Sequence, residues 1–142
     1  MKYVILVSHG TFAPGLHNAV SMLAGSNRED FRSTGLKDGM GSDEFAGHVR
    51  ECLKGITAED EILLFGDIVG GSPLTTAANV IAQEGLMGVT SMVGGMNLPL
   101  VLSAVLEKDS MDTAELTKMI LEESREQIKQ FEVECEDAEE DI

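Results

Sequence analysis

The segment KYVILVSHG, residues 2–10, lays Val4, Ile5, Leu6 and Val7 in an unbroken apolar run and then stops on Ser8, His9 and Gly10. A run rich in β-branched residues, with no polar alternation, is the pattern of a strand covered on both faces in a parallel sheet. A strand is therefore expected from Lys2 to Val7. Parallel strands need crossover helices, and one should follow at once: Pro14 suits a first helical position, and Leu16, Ala19, Val20 and Leu23 recur at helical spacing until Gly25.

The same alternation continues along the chain. Residues 31–36 (FRSTGL) form a weaker second strand, leading through Gly35, Gly39 and Gly41 to a helix that Ser42 caps, with Asp43 and Glu44 in its first turn, and that runs to about Lys54. EILLFGD gives a third strand from Glu61 to Asp67. GGSP follows, where Ser72 can cap a helix whose first residue is Pro73 and whose inner stripe is Ala77, Val80 and Ile81. A fourth strand covers Val89 to Gly95. Leu98, Val101, Leu102 and Val105 then mark a helix, and Leu116, Met119 and Ile120 another from Asp112 to about Gln127. Phe131, Val133 and Cys135 alternate with polar residues, which permits a last short strand with one buried face. Four strand and helix alternations define a doubly wound α/β fold with a mainly parallel sheet and helices on both faces.

Composition narrows the function classes. At 142 residues, 43% of them apolar, the chain suits one domain with a real core. No stretch reaches the roughly 20 apolar residues of a membrane span, and the start carries no cleavage pattern, so a cytoplasmic protein is expected. Twenty-five acidic against ten basic residues give a net charge of −15, which opposes binding to nucleic acid or anionic membrane. Seven of the acidic residues lie between Glu132 and Ile142, the pattern of a solvated terminus. Cys52 and Cys135 are far apart and suggest idle thiols. No His, Cys or carboxylate cluster has metal-ligand spacing, so neither a metal nor another cofactor is expected.

Ligands of such sheets bind beyond the carboxyl ends of the strands, where the winding reverses. With the order 2-1-3-4 of flavodoxin-like folds, strands 1 and 3 are neighbours. His9 and Asp67, each just past one of their ends, would then share one crevice. A carboxylate that accepts a hydrogen bond from one imidazole nitrogen fixes the tautomer and leaves the other nitrogen as a nucleophile. Gly70, Gly71 and Ser72 put a side-chain-poor loop before a helix N-terminus, which favours anions, and Gly10 keeps backbone close beside His9. Histidine, carboxylate and phosphate cradle together point to phosphoryl transfer. His17 and His48 have no such partners and are assigned no role.

At these residues the chain resembles the mannose-family enzyme IIA components of the bacterial phosphoenolpyruvate-dependent sugar phosphotransferase system, through HGTFAPGL (9–16), GDIVGGSP (66–73) and GGMNLPLVL (94–102). The resemblance covers residues 1–135 and leaves 136–142 as an acidic tail. It implies that His9 accepts a phosphoryl group from the phosphocarrier protein HPr and passes it to a IIB component, for coupled sugar uptake and phosphorylation. The membrane components IIC and IID would be engaged only indirectly. It further implies that Asp67 orients His9, that Ser72 lies beside the phosphoryl group, and that the protein is a homodimer exchanging an antiparallel C-terminal strand, for which Phe131–Cys135 is the available segment. Ile68 and Val69 stand where some members carry an aromatic residue. Two other readings use the same residues: a histidine-phosphatase type of enzyme, whose phosphate-clamping arginine is replaced here by Ser8, and a module phosphorylated on Asp67, for which SHGTF supplies no acidic pair to hold magnesium.

Overall fold

The computed structural model describes residues 1–134. Its elements follow in the order β1 (Lys2–His9), α1 (Phe12–Ala24), β2 (Phe31–Leu36), α2 (Ser42–Cys52), β3 (Glu61–Gly66), α3 (Ser72–Gln83), a single 3₁₀ turn (Met87–Val89), β4 (Thr90–Val93), α4 (Leu98–Glu107) and α5 (Thr113–Glu126). The strands form one sheet in the order β2-β1-β3-β4. Every pairing is parallel, with Ile5 opposite Arg32 on one side and Leu64 on the other. The doubly wound 2-1-3-4 sheet is therefore as expected.

The unbroken apolar runs of β1 and β3 are explained by two cores, one on each face of the sheet. Alternate side chains Val4, Leu6, Leu63 and Phe65 meet Val20 of α1, Val101 of α4 and Ile120 of α5. The intervening Tyr3, Ile5, Val7, Ile62 and Leu64 meet Phe45 and Val49 of α2 and Ala77 and Ile81 of α3. Each large side chain so buried contributes about 1.5–3 kcal/mol, which makes the two central strands the rigid part of the molecule. α1 lies on one face and α2 and α3 on the other, so the winding reverses between β1 and β3.

The element ends depart from the sequence expectations in instructive ways. β1 extends to His9, because its ladder with β2 continues as far as the pairing of His9 with Leu36. α1 starts at Phe12, since the buried Ser8 hydroxyl accepts the Ala13 N–H at 2.7 Å and so caps the turn from outside it. Pro14 then takes the third helical position, where an N–H would still lack an intrahelical partner. Ser42 and Ser72 are first helical residues and make no capping bond; the extended Gly41 and Gly71 occupy the cap positions. α2 stops at Cys52 rather than Lys54, and Arg32 reaches across from β2 to donate to the Cys52 and Lys54 carbonyls, both at 2.8 Å.

β4 covers only Thr90–Val93 within the expected Val89–Gly95, because Gly95, at φ +75°, turns the chain back toward β3. Residues 131–134 lie in no strand, and Phe131 and Val133 are exposed. Cys135, the end of the expected last strand, and the acidic tail 136–142 lie outside the described residues. Cys52 is buried, and burial pushes its thiol up to about 11. No helix among the described residues is long and apolar enough to cross a membrane.

At the opposite end of the sheet from His9, a charged cluster ties α4 to the start of β2. The Lys108 ammonium, 1% exposed, lies 2.6 Å from Asp30, and Arg28 binds the same carboxylate at 3.0 Å. Burial pushes the Asp30 carboxyl up, but hydrogen bonds from Arg28 and Lys108 outweigh it and bring it from 3.8 down to about 2. A carboxyl depressed by folding stabilises the protein above its unfolded range, and that contribution fades as pH falls toward the folded value. Asp30→Asn should thus lower stability near neutral pH by about 2 kcal/mol, since it removes one of the two carboxylates that the buried ammonium meets, Asp109 at 3.0 Å being the other. In denaturant titrations the gap from the wild type should narrow as pH drops from about 4 to about 2; a constant gap would contradict this assignment.

Candidate active site

β1 and β3 bring His9 and Asp67 together at the carboxyl edge of the sheet. β3 ends at Gly66, and the Asp67 side chain turns toward β1, where Oδ2 accepts the His9 backbone N–H at 3.0 Å and lies 2.8 Å from His9 Nδ1. An ionised carboxylate can only accept, so the proton between them sits on Nδ1, and in the neutral imidazole Nε2 carries the lone pair. Oδ1 accepts the Ile68 N–H at 3.0 Å. Both carboxylate oxygens are therefore committed, and the Asp67 side chain is only 15% exposed against 48% for His9. Burial pushes the Asp67 carboxyl up, yet the hydrogen bonds from His9 and Ile68 prevail and hold it below the ordinary carboxylate range. It is therefore charged at neutral pH.

The glycines shape the crevice. Gly71 lies against the imidazole: a Cβ there would come within 3.1 Å of His9 Cε1 and 2.8 Å of the Ile68 side chain. Gly70, at φ +82°, makes the turn that brings Gly71 there. Gly10, at φ +55°, turns the chain from β1 into α1, with open space where a side chain would stand. Ser72 follows Gly71 as the exposed first residue of α3. Pro73 has no N–H and the Thr75 N–H is taken by the Gly71 carbonyl, which leaves the Ser72 and Leu74 N–H groups as the donors of the α3 first turn. A helix N-terminus with such donors is suited to an anion. α1 offers less, because Ser8 takes its Ala13 N–H and Pro14 has none.

Two features of this site had no role assigned to them from the sequence. Gly35 of β2 touches the Gly10 carbonyl so closely that a Cβ would overlap it, and the Gly10 N–H bonds the Leu36 carbonyl at 2.7 Å. On the other side, Gly94 leaves no room for a Cβ beside Val69, while Gly95 and Met96 donate to the Asp67 and Gly66 carbonyls at 3.1 and 3.0 Å. The Gly94-Gly95 pair ahead of α4 was the available signal for this second brace. His17 does not join the site: its ring packs 4.0 Å from that of Phe31 and its Nδ1 meets the Ser33 hydroxyl at 2.7 Å, and burial lowers its pKa. His48 is exposed on α2.

A doubly wound α/β domain with an oriented imidazole at its switch point defines the class of protein. The chain belongs to the mannose-family enzyme IIA components of the sugar phosphotransferase system: the family model EIIA-man, "PTS system fructose IIA component", matches residues 3–121. It is 30% identical over 116 residues to the PTS system fructose-specific EIIA component of Bacillus subtilis (strain 168), covering 82% of this chain and 77% of that protein. Solved structures share the fold. Phosphotransferase system component EIIA from Streptococcus agalactiae has a TM-score of 0.79 at 23% identity, over 92% of this chain and 98% of that one. The mannose/sorbose specific IIA subunit from Enterococcus faecalis has a TM-score of 0.78 at 20% identity, over 94% and 98%.

Gly71→Ala tests the packing of the ring. Gly71 has ordinary backbone geometry, so the change should cost about 1 kcal/mol through crowding of Ile68. It should also shift the His9 Cε1–H proton resonance, and an unchanged resonance would show that the ring does not rest on Gly71.

Proposed function

We propose that this sugar phosphotransferase component carries its phosphoryl group on His9, taking it from phospho-HPr and giving it to a IIB component. The observation that carries this reading is the double hydrogen bond to Asp67 Oδ2, which anchors both the backbone and the Nδ1 edge of His9 and leaves Nε2 uncommitted on a half-exposed ring. In the forward step the Nε2 lone pair attacks phosphorus while the bond from phosphorus to its donor atom breaks, and the electron pair of that bond leaves with HPr. The imidazole gains positive charge as the new bond forms. Asp67 stabilises that charge and keeps the Nδ1 proton in place, so no proton need move. The N–H groups at the start of α3, with Gly70 and Gly71 around them, receive the phosphoryl oxygens. Transfer to IIB runs the same step in reverse.

Exposure supports a protein donor and acceptor. The imidazole stands nearly half exposed, and Phe12, Ile68 and Val69 are exposed apolar residues adjoining His9 and Asp67 in the chain. Phe12 supplies an aromatic side chain that positions 68 and 69 lack. A partner covering this rim would exclude water from the phosphoryl group during transfer. Sugar is never in contact with this component, and IIC and IID are reached only through IIB. The homodimer belongs to the same proposal: the edge of β4, which pairs with no further strand among the described residues, is available to an antiparallel strand from a second copy, with Phe131–Cys135 as the segment exchanged.

His9→Ala should abolish labelling from phospho-HPr, whereas His17→Ala should leave it intact; labelling that follows His17 instead would overturn the reading. Asp67→Ala should remain folded but transfer about 10²- to 10⁴-fold more slowly, the range of a lost orienting and charge-stabilising partner. Unchanged kinetics in that variant would make the carboxylate structural only. The phosphoprotein should be labile in acid and stable in base, opposite to an acyl phosphate on Asp67.

A further inference from the structure

Among the described residues, Ser8 is the wholly buried polar side chain nearest the site in the chain, at 0% exposure. Its hydroxyl lies 2.9 Å from the His9 carbonyl oxygen and 2.7 Å from the Ala13 nitrogen. Neither neighbour leaves a choice of role: a carbonyl can only accept and an amide N–H can only donate. The hydroxyl therefore donates to His9 and accepts from Ala13, a bridge that demands one short side chain able to do both. Every other side chain of β1 between Tyr3 and Val7 is packed into one of the two cores, so a serine here is not explained by burial of apolar surface.

We propose that Ser8 is a positioning residue for phosphoryl transfer, acting through the carbonyl of His9; this rests on His9 being the phosphoryl acceptor. Asp67 holds the His9 N–H from one side and Ser8 holds its C=O from the other. The peptide between His9 and Gly10 is thereby fixed just where Gly10 turns to φ +55°, with the Gly10 carbonyl lodged against Gly35. Ser8 also fastens that peptide to the first turn of α1. Without the hydroxyl, the His9 carbonyl and the Ala13 N–H lose their shared partner, and the peptide can rotate to seek others. Nε2 then presents at a less reactive angle while the Asp67 bond and the docking rim persist.

The test is single-turnover transfer from phospho-HPr to the wild type, Ser8→Ala, Ser8→Cys, Ser8→Thr and His9→Ala, over a range of phospho-HPr concentrations. Ser8→Ala should lower the saturating rate roughly ten-fold or more, the scale of a small misplacement of a reacting atom. Half-saturation should stay within about two-fold, because docking is untouched. Ser8→Thr should restore most of the rate, and the His9 imidazole proton resonances should shift in Ser8→Ala but not in Ser8→Thr. A folded Ser8→Ala protein with the wild-type saturating rate and unshifted resonances would overturn the proposal and leave Ser8 as a helix cap. Should Ser8→Ala fail to fold, Ser8→Cys, whose thiol is a weak donor in nearly the same volume, must show the loss; a wild-type rate there would overturn the proposal equally. An unlabelled wild type, or a labelled His9→Ala, would instead refute His9 as acceptor, which keeps the two failures apart.

Discussion

One carboxylate oxygen, Asp67 Oδ2, accepts hydrogen bonds from two groups of the same residue, the His9 amide and the His9 Nδ1 edge. That pair of bonds converts an exposed ring with free rotation into one with a fixed tautomer and Nε2 left uncommitted. It can form only if the ends of β1 and β3 are neighbours, and β1 and β3 are adjacent only because the chain winds one way through α1 to β2 and back the other way through α2 to β3. The site is thus a consequence of the topology. The two cores keep it in place, because β1 cannot slide against β3 without moving Val4, Leu6, Leu63 and Phe65 out of one and Ile5, Ile62 and Leu64 out of the other.

Around that bond the protein spends glycines where other sites spend charged side chains. Gly71 lets the imidazole lie against the α3 start, Gly35 lets the His9–Gly10 turn sit against β2, and Gly94 lets the Val69 loop close down on the β4 end. None of the three could be replaced by alanine without crowding a neighbour. No basic side chain hydrogen-bonds His9 or Asp67 among the described residues, so in the proposed transfer the attraction for a phosphoryl group falls to backbone dipoles. On that proposal the group is held without being trapped, as a carrier that must give it away requires.

Much of this was legible in the sequence. The unbroken run of Val4 to Val7 required a strand buried on both faces, and the alternation of strands and helices required a parallel sheet. His9 and Asp67 were then the polar residues at the two strand ends that meet. What was not legible depended on contacts distant in sequence. The caps of α2 and α3 fell to Gly41 and Gly71 because an extended glycine serves as well as a serine, and nothing local distinguishes the two. The start of α1 at Phe12 depends on the hydroxyl of Ser8, which sequence periodicity treats as the tail of a strand. Gly35 read as a loop glycine, although it lies inside β2 and faces the Gly10 carbonyl. The resemblance to the enzyme IIA components supplied HPr and IIB as partners, which no residue in this chain names.

The account stands on Asp67 holding Nδ1 so that Nε2 takes the phosphoryl group. Its most direct test is the phosphorus–nitrogen coupling in protein labelled with ¹⁵N-histidine and phosphorylated by phospho-HPr. The phosphorus should couple to Nε2 of His9, with the proton still on Nδ1. Phosphorus bonded to Nδ1, or to any other histidine, would contradict the account.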